Sequence, residues 1–161
     1  MIILFIFFLV NGKSMGNQMN NIKLKLMILI PIFASIILLS KIGVSEELQV
    51  EMLEMSYSPE ILYSEVGDKI IWPKSKGHNV EFIAGPTGFS PPKRSKMNKQ
   101  FQLVLDIPGV YYYWCTPHKG TGMIGLIVVG KDISNKDEIS DAKAVGKSKK
   151  KLVGLIEKLN D

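Results

Sequence analysis

Between residues 48 and 129 the chain breaks into short runs rich in β-branched and aromatic residues, and glycine, proline or charged turns close each one. This punctuation constrains the fold more than any other feature of the sequence. The runs cover 48–53, 61–65, 69–72, 79–83, 99–105, 110–114 and 125–129, with Gly67, Pro108 and Gly109 among the breaks. A long Gly/Pro/Ser/Lys loop fills 84–95. Seven strands at such spacing predict an antiparallel β-sandwich in which each sheet buries one face. Trp72 and Trp114 are expected in the core or between the sheets. After Gly130 the period changes. Residues 135–145 are mixed and charged, with Gly146 as the expected stop, and Leu152, Leu155, Ile156 and Leu159 then fall at helical spacing. Lys149, Lys150 and Lys151 open that segment, where the helix dipole disfavours them. The apolar stripe is narrow and lacks aromatics. It therefore predicts a helix docked on the sandwich, with lysines in solvent, and not one lying on a membrane. The expected organisation is a leader over 1–45, a sandwich over 46–130 and a helical extension over 131–161.

The leader accounts for most of the net charge. Of 161 residues, Lys13, Lys23, Lys25 and Lys41 precede every acidic residue; from Glu46 onward 16 basic residues face 15 acidic ones. A nearly neutral domain gives no reason to expect nucleic-acid binding, and a charged partner must be drawn by a local patch. Residues 1–10 are apolar but too short to span a bilayer and have no basic residue before them. From Met15 or Met19 the chain offers a basic start at Lys23 and Lys25, an apolar stretch over 26–39, and small residues Gly43 and Ser45 at signal-peptidase spacing. Export to the periplasm through a cleavable signal peptide is expected, residues 1–14 representing an over-extended start. An uncleaved membrane anchor is the alternative, which Pro31 and Ser35 weaken.

Chemistry concentrates in one stretch. Cys115, the only cysteine, is separated by two residues, Thr116 and Pro117, from His118 in a C-x2-H-x4-M spacing that ends at Met123; His78, the only other histidine, opens the strand predicted over 79–83. A thiolate, two imidazoles and a weak thioether are the ligand set of a blue (type 1) copper site. The polarisable sulfur suits Cu(I), the imidazoles are acceptable to Cu(II), and a distant thioether binds neither strongly. The geometry then changes little with oxidation state, which keeps the barrier to electron transfer low. Zinc is the nearest alternative, although structural zinc favours several cysteines and has no use for methionine. Of the eight methionines, Met1, Met15, Met19 and Met27 lie in the leader, and Met52, Met55, Met97 and Met123 form no cluster. A methionine-rich copper carrier is disfavoured accordingly.

The runs Lys76-Gly-His-Asn-Val-Glu81 and Cys115-Thr-Pro-His118, followed by Gly122-Met-Ile-Gly125, resemble the pseudoazurins. Pro108-Gly-Val-Tyr111, Val66-Gly-Asp68 and Val50-Glu-Met-Leu53 support the likeness, which covers about residues 48–161. It implies a Greek-key cupredoxin β-sandwich followed by two C-terminal α-helices, with one copper ion held by His78, Cys115, His118 and Met123. By the same likeness, the Asn79 backbone N–H donates to the cysteine sulfur and its side chain ties the two ligand loops together. Plastocyanins share the ligand loop but lack the helical tail. Two departures stand out: a shortened connection over 55–58, and Lys119 and Thr121 where the family often has an aromatic residue and a methionine.

The resemblance implies a monomeric one-electron carrier whose electrons leave through the His118 ring edge, with a c-type cytochrome as donor and a copper nitrite reductase or other terminal reductase as acceptor. Lys74, Lys76, Lys93, Arg94, Lys96, Lys99 and Lys119 are candidates for steering acidic partners, Lys76 and Lys119 first because they neighbour ligand residues. Catalysis is not expected, since a substrate-binding copper needs a third histidine. A copper-storage module without electron shuttling is the remaining alternative.

Overall fold

The computed structural model describes residues 45–159, so the leader expected over 1–45 lies outside the described residues except for Ser45. Nine strands precede two helices: β1 (Glu47–Gln49), β2 (Glu51–Met52), β3 (Tyr57–Ser58), β4 (Ile61–Ser64), β5 (Lys69–Trp72), β6 (Glu81–Ala84), β7 (Phe101–Val104), β8 (Gly109–Trp114), β9 (Ile124–Val129), α1 (Lys136–Ser140) and α2 (Lys147–Glu157). A short 3-10 turn, Lys119–Thr121, lies between β8 and β9. One sheet runs β1-β5-β7 and the other β4-β9-β8-β6, with β2 and β3 paired as a separate ribbon. A mainly β sandwich with two C-terminal helices is therefore present.

Strand direction is the first departure. β1 pairs with β5, and β4 with β9, in parallel. Alternation decides which face a side chain takes but is silent on direction, and a chain that crosses between sheets can return parallel. The run 48–53 is also divided. Val50, fully buried, donates its N–H to the Ile71 carbonyl (2.9 Å), after which the chain leaves the first sheet to form β2. Its partner β3 was not among the seven runs. The strand expected at 79–83 starts pairing only at Glu81, leaving His78, Asn79 and Val80 in the loop before it.

The strands β8 and β9 are buried along their whole length, because both of their faces are covered. On the inner face Tyr111, Tyr113, Cys115, Met123 and Ile127 join Val50, Trp72 and Phe82 in the inter-sheet core. On the outer face Val110, Tyr112, Trp114, Ile124, Leu126 and Val128 pack against Ile139 of α1 and Leu152, Leu155 and Ile156 of α2. The helix stripe is thus docked on the sandwich. Both tryptophans are buried as expected, Trp72 between the sheets and Trp114 in the core on the outer, helix-covered side. Gly146 does not stop the first helix, which ends at Ser140; it stands immediately before α2 with φ 56°. Among the described residues no helix is long and apolar enough to cross a membrane.

Candidate metal centre

The β8–β9 connection brings three of the four expected ligand residues onto one short turn. The Cys115 N–H donates to the Met123 carbonyl (3.0 Å), closing the loop as the last rung of the β8–β9 ladder. Within it the His118 N–H donates to the Cys115 carbonyl (3.0 Å), and the Thr121 and Met123 N–H groups share the His118 carbonyl (3.1 and 3.2 Å). His78 comes from the loop before β6. That loop is held by Gly77, which donates to Asn98 Oδ1 (2.6 Å) at φ 84°, and by the His78 carbonyl, which accepts from the Asn98 N–H (3.1 Å).

The side chains of His78, Cys115 and His118 converge, their donor atoms all within 4.8 Å of one another. The Cys115 Sγ lies 3.7 Å from His78 Nδ1 and 3.6 Å from His118 Nδ1. A metal ion about 2.3 Å from sulfur and about 2.0–2.1 Å from imidazole nitrogen, at angles between tetrahedral and trigonal, sets an N···S separation of about 3.6–3.8 Å. The observed pair fits that span. The donor set therefore suits a soft-to-borderline ion in a site that is closed on most sides. Cys115 and Met123 are fully buried and His78 is 6% exposed, while His118 is only partly covered.

Around the sulfur lies a hydrogen-bonded frame. The backbone N–H groups of Asn79 and His118 both point at it. Asn79, 1% exposed, accepts from the Thr116 N–H through Oδ1 (2.8 Å) and donates to Thr116 Oγ1 through Nδ2 (3.0 Å). Its carbonyl accepts from the Tyr57 hydroxyl (2.8 Å). Thr116 passes the chain outward, donating to Glu81 Oε2 (2.7 Å), which also accepts from Trp114 Nε1 (2.7 Å). Burial raises the Glu81 carboxyl, but these two donors, with Arg94 and Lys119 nearby, bring it below its usual range. The Lys119 ammonium stands 4.9 Å over the Trp114 ring. Thr116 and Glu81 were not singled out by sequence. Their place depends on strand register, which the sequence does not record: Glu81 pairs directly with Trp114 across β6 and β8.

Burial pushes the Cys115 thiol above its ordinary pKa, against the two N–H donors, and burial with His118 close by lowers that of His78. Near pH 7 the free site thus holds a protonated thiol and a neutral His78. A metal must displace the thiol proton, so copper affinity is expected to rise about tenfold per pH unit from about pH 7 up to the thiol pKa, with about one proton released per ion. Proton release into a weakly buffered solution on adding copper measures this; uptake with no release would remove Cys115 from the ligand set.

The basic residues divide into two groups. Lys93, Arg94 and Lys96 line an open groove with Asn79, Thr116 and Pro117, beside the ligand loop. Lys74, Lys76 and Lys99 are simply exposed. Met97, also in the groove, and Met55, whose Sδ lies 3.7 Å from Thr121 Oγ1, add exposed apolar surface nearby.

Comparison with known proteins agrees with this chemistry. Residues 44–130 match the copper binding proteins of the plastocyanin/azurin family. A putative pseudoazurin of Rhizobium leguminosarum is 41% identical over 65% of this chain and 74% of its own length. The pseudoazurin of Paracoccus pantotrophus is 34% identical over 79% of this chain and 93% of its own. A Sinorhizobium pseudoazurin of known structure superposes with a TM-score of 0.67 at 36% identity, covering 72% of this chain and 98% of that one.

Proposed function

The chain belongs to the plastocyanin/azurin family of copper-binding proteins and, within it, to the pseudoazurins, and from that premise we propose that His78, Cys115, His118 and Met123 hold one type 1 copper ion that carries single electrons between redox proteins in the periplasm. The observation that carries this reading is the convergence of two imidazole Nδ1 atoms on one buried sulfur at 3.6 and 3.7 Å. When bound, copper supplies the one-electron couple Cu(II)/Cu(I). Everything else falls to the protein. Cys115 offers a thiolate in a dry pocket, and the Asn79 and His118 N–H groups draw charge from it, which favours the reduced state. His78 and Cys115 are fixed from two separate loops, and the Asn79–Thr116 pair joins those loops, so the donor atoms need not move between oxidation states. Of the four, His118 alone is more than marginally exposed, next to Pro117, which shares a groove with the exposed Met97, while the exposed Met55 lies against Thr121. His118 is the proposed point of electron exit.

A c-type cytochrome as donor and a copper nitrite reductase or other terminal reductase as acceptor suit a carrier of this kind. The lysine and arginine groups near the exit would steer an acidic face toward it without tight binding. Lys76→Glu is expected to slow association with such a cytochrome about tenfold at low ionic strength, the difference shrinking as salt rises. Stopped-flow reduction at several salt concentrations tests it, and equal rates at low salt would remove Lys76 from the docking face.

The deciding experiment is a visible spectrum of residues 46–161 after adding Cu(II). A strong band near about 600 nm, bleached by ascorbate, is expected from a thiolate-bound Cu(II). Electron self-exchange then separates shuttle from store: a carrier exchanges quickly through His118, and a storage module does not. A colourless protein would overturn the carrier reading.

A further inference from the structure

The helical extension reaches the ligand loop itself. Ser148, in the first turn of α2 and fully buried, donates its hydroxyl hydrogen to the Lys119 carbonyl, in the turn between His118 and Met123. Two residues earlier, Gly146 passes so close to that turn that a Cβ there would lie 2.5 Å from the Gly120 carbonyl oxygen. Gly122, which closes the turn at φ 102°, faces Lys147 and Lys151 of the same helix. Lys151 in turn pairs with Glu60, whose carbonyl accepts from the Leu126 N–H of β9 (2.8 Å). The turn is thus gripped along its outer side by one helix, which is anchored to the sheet that carries the loop's other end.

Such a grip has a physical purpose. A 3-10 turn of three residues has poorly aligned internal hydrogen bonds and little persistence of its own. Yet it fixes the distance between two ligand residues, and that distance decides how strongly a weak thioether engages. We propose that the first turn of α2, through Ser148 and Gly146, is a positioning clamp that sets the spacing of His118 and Met123 at the copper site. The role rests on the copper reading above, and it makes the C-terminal extension part of the site's frame as well as a cover for the outer sheet face.

The test compares Ser148→Ala and Gly146→Ala with Leu159→Ala, which loosens α2 at its far end. In the copper-free protein, amide hydrogen exchange at Thr121 and Met123, both bonded to the His118 carbonyl, is expected to quicken about fivefold in Ser148→Ala. In the copper-loaded protein the same variant is expected to alter the height of a second visible band near about 450 nm, which grows as the axial ligand engages more strongly, relative to the band near about 600 nm, and to release copper to a chelator several-fold faster. Gly146→Ala, which pushes the turn instead of freeing it, should change the band ratio too. Leu159→Ala should lower the unfolding midpoint and leave ratio and exchange as they were. Parent-like exchange and spectra in Ser148→Ala overturn the clamp, as does Leu159→Ala reproducing the changes. Should the parent protein itself stay colourless, the copper reading fails, while the exchange rates still decide whether the helix holds the turn.

Discussion

Cys115→Ser is expected to fold normally and to stay colourless when Cu(II) is added. The intense visible band of a type 1 site is charge transfer from thiolate sulfur to copper, and a serine hydroxyl has neither the high-lying lone pairs nor the acidity to replace it at neutral pH. The imidazoles of His78 and His118 would still bind Cu(II), weakly and with only faint absorption. The fold should not suffer, because the copper-free parent already buries Cys115 without a covalent partner and serine is smaller. What it adds is a buried hydroxyl, for which Asn79 Oδ1, 3.7 Å from the sulfur, is a side-chain acceptor close by. Circular dichroism and absorption measured together make the result decisive. A variant that kept the strong band would show that the sulfur is not its source, and the whole ligand assignment would fall with it.

How far the sequence could take this is visible residue by residue. Cys115 and His118, which the structure brings together with His78, were legible because their loop is local: a few residues of chain bring them close whatever the rest of the fold does. His78 was legible for another reason, as the only other histidine in the chain. The sandwich and the docked helix followed from period, since alternation and helical spacing record which side of each element is dry. Direction and pairing left no such record, so the parallel β1–β5 and β4–β9 pairs and the divided strand at Val50 came only with the structure. Trp114 shows the limit well. In an unbroken aromatic run such as 110–114 both faces are apolar, and nothing local says that Trp114 turns toward the helices while Tyr113 turns inward. Thr116, Glu81 and Ser148 were illegible because each acts on residues distant in sequence through a few hydrogen bonds and no periodic contact. Small polar residues in loops carry no periodic signal that would mark them.

Asn79 is where the local and the distant meet, and its removal is the second large expected effect. Asn79→Ala deletes both bonds to Thr116 while keeping the backbone N–H that points at the sulfur. The part-buried Thr116 amide loses its acceptor, which costs about 2 kcal/mol of stability, and the His78 and Cys115 loops lose their direct side-chain tie. Copper affinity should fall by about 10–100-fold, the usual penalty for disturbing the groups that orient metal ligands. Asn79→Asp separates the two effects. Its carboxylate still accepts from the Thr116 N–H, so the loops stay joined and much of the stability is kept. The same charge, however, lies close to the sulfur, where it favours Cu(II) over Cu(I) and so lowers the reduction potential. Chemical denaturation, copper competition and redox titration of the two variants should therefore diverge: the alanine loses stability and metal, the aspartate mainly potential. If the alanine bound copper as tightly as the parent, the tie between the loops would be a feature of folding alone, and the rigidity of the site would have to come from the sheet and from the α2 clamp.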